Sequence, residues 1–293
     1  MRKKWTCCLE AVTAAGLLLC TNGVATAESS QSSQGSQSQP PAQQTDKSKT
    51  PEVTPLMLDA PAPVNAEEDA AFKAFQIVNP NDTAKKIDAG EAFLLKYPES
   101  RYKSPVYGAL TYAYQHAGNT QKMQEYGEKE IAIAPNDVST LSLLAQTLPR
   151  TLHGSASTPE AVQLLAKAEK YSKQAIEIAP TLAKPENITD EAFAAAKNGV
   201  LAMAHSGLGL VYVRQGKNAE AIPELEQAIK IDPEPDPVNY YLLGMANKIT
   251  AHFDDAIVAF NKCAALTGPM QVTCKAQAED AKKQGATQLS APK

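Results

Sequence analysis

Tryptophan is nearly absent, with one residue in 293, and the aromatics together make up only 6%. A core built around bulky rings is therefore excluded, and most of the 43% apolar content has to pack as aliphatic and small side chains. Positive charge is in deficit too: 28 Lys+Arg stand against 32 Asp+Glu, net −4. That balance argues against a protein that holds nucleic acid by its phosphates. After the N-terminus there is no uninterrupted apolar run of about 18 residues, so a polytopic membrane protein is excluded. Catalytic signatures are missing as well. There is no Gly-x-Ser-x-Gly, no His-Glu-x-x-His and no phosphate-cradling glycine loop. The four histidines, His116, His153, His205 and His252, are scattered along the chain. Nothing groups a nucleophile with a base and an orienting residue. The expectation is a protein that is not an enzyme and uses no cofactor or metal.

What is present begins with an address. Arg2, Lys3 and Lys4 precede an apolar stretch from Ala11 to Cys20, and Ala25-Thr26-Ala27 supplies small residues for a peptidase. This reads as a secretory signal peptide over 1–27, cut after Ala27, with a core too short to remain as a membrane-spanning helix. A buried N-terminal helix is the alternative. A lipid anchor on Cys20 fits less well, because Leu19 stands where a small residue is wanted. Beyond Ala27 the chain has 25 basic and 31 acidic residues, net −6. Residues 28–65 are rich in Ser, Gln and Pro and nearly devoid of large apolar side chains. Such a segment cannot offset the entropy of ordering it, and it is expected to be a disordered linker.

The rest of the chain repeats with a period of about 34 residues. The clearest unit runs from Ala202 to Pro233 through His205, Leu208, Gly209, Tyr212, Gly216, Ala221, Leu225 and Ala228. The next begins at Pro237 with Tyr240, Leu243, Gly244, Ala256 and Phe260, and ends near Gly268-Pro269. An earlier one starts at Ser104 with Tyr107, Leu110, Thr111, Tyr114 and Gly118, and closes at Pro135. Spacings of three and four keep the large residues on one helical face. Small residues such as Gly209 and Ala228 let a neighbouring helix approach, and the prolines end helices.

This pattern resembles the tetratricopeptide repeat (TPR), specifically that of exported bacterial proteins. The resemblance implies an all-α fold, a right-handed solenoid of about five helix pairs with a C-terminal capping helix. Two units are degenerate, so the array 66–284 divides approximately into 67–98, 104–135, 137–180, 190–233 and 237–269, with a cap over 270–284 and a disordered tail over 285–293. In the third unit, Pro149 to Thr158 forms a loop longer than the family's turn. Thr158, Thr189 and Asp236 are expected helix N-caps, with Pro159 and Pro237 at the first helical position. The sequons Asn81-Asp82-Thr83 and Asn187-Ile188-Thr189 are short enough to arise by chance.

Beyond Ala27 only Cys263 and Cys274 remain, an even count in an exported chain. Within the repeat, Cys263 takes position 27, the small residue facing the next helix, and Cys274 lies on that helix. A disulfide pinning the cap is expected, with two buried free thiols as the alternative. In TPR arrays the first helix of each pair lines a groove. Carried over, its positions are Tyr112, Gln115 and His116; Met203, Leu210, Val213 and Arg214; and Val238, Tyr241, Met245 and Lys248. Aromatics and methionines with a few cations suit an extended peptide or a helix. The Lys/Asn carboxylate clamp of chaperone-binding members is unmatched, since Gly108, Ser206 and Tyr241 stand at its lysine position. The expected function is a protein or peptide interaction scaffold of the bacterial cell envelope. The alternative is a periplasmic protein that binds a ligand or an envelope polymer such as peptidoglycan.

Overall fold

The computed structural model describes residues 65–289. The expected signal peptide, nearly all of the linker and residues 290–293 lie outside the described residues. Within them the chain forms eleven α-helices. We number these α1 (Ala66–Gln76), α2 (Thr83–Lys96), α3 (Lys103–His116), α4 (Thr120–Ile133), α5 (Val138–Thr147), α6 (Pro159–Ile178), α7 (Asp190–Arg214), α8 (Asn218–Ile231), α9 (Pro237–Ile249), α10 (Phe253–Ala265) and α11 (Gln271–Leu289). Consecutive helices pack as pairs, and each pair packs on the next, which is a TPR-like solenoid with α11 covering the last pair.

The helices start where short polar side chains can satisfy free backbone N–H groups. The Thr158 and Thr189 hydroxyls accept from Ala161 N and Ala192 N, both at 3.2 Å, and the Asp236 carboxylate accepts from Val238 N at 2.9 Å. Asn65, Asn119 and Asp137 do the same for α1, α4 and α5. Each such cap contributes about 1 kcal/mol. Asn65 therefore belongs to the folded array and not to the linker.

The turns inside three pairs share one geometry. Gly118, Gly216 and Ala251 occupy equivalent repeat positions, all with positive φ (71°, 76° and 63°). The next residue's N–H then reaches back to the helix, Asn119 N to Tyr114 O and His252 N to Asn247 O, satisfying a carbonyl at the helix end. Ala251 carries a Cβ where its two counterparts carry none.

Burial follows the repeat. One cluster runs from Phe72 through Phe93, Leu110, Leu141, Leu144 and Leu165 to Val211. A second joins Leu210, Leu225 and Leu242, and a third joins Phe260 to Ala278 and Ala281. Such a chain of clusters is what nearest-neighbour stacking produces. Helix α5 lies deepest, with every residue from Val138 to Ala145 buried. At its crossing with α7 a Cβ on Gly207 would lie 2.5 Å from Ala145 O, so the two backbones touch there.

Two boundaries depart from expectation. The Pro149 to Thr158 loop is preceded and partly replaced by a 3₁₀ turn over Leu148–Thr151, anchored by buried Leu148 and Pro149. Helix α11 continues past Gln284 to Leu289, where a disordered tail was expected. Gly285 explains this in part: it lets the helix run close against Phe253, whose Cβ lies 3.1 Å from the position a Gly285 Cβ would take.

Candidate functional site

The first helices of successive pairs are connected. Helix α5 packs on α7, α7 contacts α9, and the Tyr112 hydroxyl on α3 donates to Ser139 O on α5 at 3.1 Å. The residues proposed from the repeat register fall on this series in three groups. On α3, Tyr112 and Gln115 are half-buried and His116 is exposed. On α7, Met203 packs against the large cluster and Val213 against the second, both half-buried, while Leu210 is 7% exposed and belongs to the core. On α9, Val238, Tyr241 and Met245 are half-buried. The Tyr241 ring is tilted 58° to Phe260 at 6.0 Å between centroids.

Two cations of the set are held by the protein itself. The Lys248 ammonium donates to Asp280 Oδ2 at 2.9 Å and to Gln277 Oε1, tying α9 to α11. The Arg214 guanidinium donates to Leu152 O at 3.2 Å. Arg150, from the same loop, pairs with Asp236 at 2.9 Å. The insertion of the third unit is thus fastened to the end of α7 and the start of α9.

Cys263 and Cys274 are fully buried, with Cα atoms 5.9 Å apart and sulfurs at bonding distance. His205, which takes the large-residue position of the fourth unit, does more than pack: its Nδ1 lies 2.6 Å from Glu224 Oε2 on α8. Among the described residues no group of three or more His, Cys, Asp or Glu could hold a metal ion. No described helix is long and apolar enough to cross a membrane.

A site the repeat register did not signal lies at the junction of α3, α4 and α5. Position 27 of the repeat holds Ala228 and Cys263 in later units, but Glu130 in the second. The Glu130 side chain is 1% exposed. Its Oε1 accepts from the Ser104 hydroxyl at 2.8 Å, while Oε2 has no hydrogen-bond partner. Gly108 makes room for it: a Cβ there would lie 3.9 Å from Glu130 Cδ. Burial pushes the carboxyl up to about 8; the Ser104 hydrogen bond opposes this and nearby Asp137 adds to it. The residue lines a cavity of about 240 Å³ together with Ser104, Pro135, Asp137, Val138, Ser139 and Leu182. The signal available in the sequence was an acid at a position the repeat reserves for a small residue.

Residues 202–235 match the tetratricopeptide repeat family. Among solved structures the chain is similar to a thermophilic TPR protein of Thermus thermophilus, at 17% identity and a TM-score of 0.44, covering 74% of this chain and 99% of that one. It is also similar to a tetratricopeptide repeat protein from Parabacteroides merdae, at 13% identity and a TM-score of 0.31, covering 74% and 100%. No curated protein matches the chain by sequence.

Proposed function

We propose that this protein is an exported, non-catalytic scaffold of the bacterial envelope that binds a protein or peptide partner along α3, α7 and α9. The observation that carries the reading is the row of half-buried side chains on those helices. Tyr112, Met203, Val213, Val238, Tyr241 and Met245 each keep part of an apolar or aromatic surface outside the core. Aromatics so placed give contact area at low entropic cost, and methionines give an adaptable apolar surface. Gln115 and His116 add polar contacts at the α3 end. Leu210 and Lys248 act differently in this scheme, Leu210 as core and Lys248 as a brace for the cap. The N-terminal 27 residues direct export, the Ser/Gln/Pro segment gives reach, and Cys263–Cys274 forms a disulfide that pins α11 in an oxidising compartment.

Affinity capture from envelope extract tests the binding face, with the wild type compared against Tyr112→Ala/Tyr241→Ala/Met245→Ala. Circular dichroism melting of both baits confirms that the variant is folded. Loss of specific partners from the variant supports the reading, and identical recovery by both baits overturns it. Export is tested separately by N-terminal sequencing of the mature protein, which should begin at Glu28.

A further inference from the structure

The cavity between α3, α4 and α5 has a composition that selects a ligand. One part is polar: Glu130, Asp137, Ser104, Ser139 and Asn136, whose amide oxygen already accepts from Gln174 at 3.2 Å. The other is apolar, with Pro135, Val138 and Leu182, the last arriving from the segment after α6. Two buried acceptors in this lining, Glu130 Oε2 and Ser139 Oγ, have no hydrogen-bond partner. Leaving such groups unpaired away from water costs about 1–3 kcal/mol each, and more for a charged one, so burial holds the proton on Glu130, and once that carboxyl ionises it and Ser139 Oγ both gain from a donor. The volume of about 240 Å³ is many times the ~10–15 Å³ that a single water requires.

No cation among the described residues is placed to answer this need. Lys103, on α3 next to Ser104, pairs with Glu99 at 3.0 Å, and Lys167 on α6 pairs with Glu128 at 2.8 Å. Asp137, facing the cavity from the start of α5, is itself an acid that caps its helix through Thr140 N at 2.7 Å. A group with several N–H donors, a positive charge and a short methylene stem would satisfy both kinds of lining. The charge would meet Glu130 and the hydroxyls, and the stem would lie against Val138 and Leu182.

The geometry points to a binding pocket for a primary alkylammonium group, with Glu130 as its anchoring carboxylate and Ser139 and Ser104 as further acceptors. The pocket adjoins the α3 end of the proposed face, where the Tyr112 hydroxyl donates to Ser139 O, but it shares no residue with that face and does not depend on that assignment. The shared chemistry has two sources, a lysine side chain of a polypeptide and a free aliphatic amine. Binding displaces the Glu130 proton, because a cation against the carboxyl favours its ionised form.

Isothermal titration of the full mature chain tests this with Nα-acetyl-lysine methylamide, cadaverine and, as the uncharged comparator, Nα-acetyl-norleucine methylamide. The lysine derivative or cadaverine should bind at least tenfold more tightly than the norleucine derivative. Glu130→Gln should weaken that binding at least tenfold while its melting temperature at pH 7 stays the same or rises, so that the loss cannot be unfolding. At pH 7, titrations in buffers of different ionisation enthalpy should show proton release that Glu130→Gln abolishes. Binding of cadaverine alone assigns the pocket to free amines, and binding of the lysine derivative assigns it to polypeptide side chains; both support the ammonium site. Equal affinity for the norleucine derivative, no binding of either amine, or unchanged affinity in Glu130→Gln overturns it.

Discussion

Replacing Glu130 by glutamine removes one ionisable group from the interior and leaves the shape nearly unchanged. The folded carboxyl titrates near 8 because it is buried, against an ordinary value of 4.5. Below pH 4.5 both folded and unfolded chains hold the proton, and its contribution to stability is fully present. Between pH 4.5 and 8 the folded chain keeps a proton that the unfolded chain has released, so stability falls as pH rises. Each pH unit in that window costs about 1.4 kcal/mol. The wild type should therefore lose about 3 kcal/mol by pH 7 and approach a loss of about 5 kcal/mol above pH 8. The glutamine of the variant has no proton to lose and can still accept from Ser104. The two proteins should be nearly equally stable at pH 5, with the variant ahead by about 3 kcal/mol at pH 7. Urea unfolding at pH 5, 6, 7 and 8 measures the difference, and titrations elsewhere in the chain cancel in it. Parallel stability curves across this range would show that burial does not hold Glu130 protonated.

Ala251 holds a backbone conformation that its counterparts Gly118 and Gly216 give to glycine. Ala251→Gly should raise stability by about 1 kcal/mol in thermal or urea unfolding. Gly207→Ala should do the reverse, since the added methyl meets the Ala145 carbonyl on α5 and not a side chain that could move aside; the same unfolding assays should show a loss of about 2–3 kcal/mol. Joining Cys263 to Cys274 closes a loop with a sequence separation of 11, which by chain entropy contributes about 2–3 kcal/mol. Mass spectrometry of non-reduced, alkylated protein should find neither thiol labelled, and reduction should increase hydrogen exchange in α11 first. Lys86 donates its ammonium to Phe75 O at 2.9 Å at the end of α1 and lies 3.9 Å from the Phe75 ring centroid. Lys86→Met should retain the packing of the stem, expose the α1 carbonyls to fraying, and speed hydrogen exchange in α1 ahead of the rest of the array.

The regular part of the architecture was legible because it depends on local spacing. Leu208, Ala221, Leu225 and Ala228 fall on buried faces by periodicity alone, and Thr158, Thr189 and Asp236 cap their helices as their chemistry dictates. The features that were not legible depend on contacts between distant segments. Leu210 sits in groove register yet is buried, in one cluster with Leu225 of α8 and Leu242 of α9. Lys248 is bound by α11, and Arg214 by the insertion after α5; neither partner is set by the repeat. Glu130 was visible as an oddity only after its register was known. Its meaning required the Gly108 gap and the Leu182 wall, which come from two other segments.

The most direct test of the proposed scaffold function is site-specific photo-crosslinking in an exporting bacterial host. A photoreactive residue is placed at His116, which is exposed at the end of α3, and a control at Val162, which is 53% exposed on α6. Position 116 should give a discrete protein adduct and position 162 none, and the adduct should be lost when Tyr112→Ala and Met245→Ala are added to the folded chain. The same adducts from both positions, or none from position 116, would contradict a binding face on the first helices.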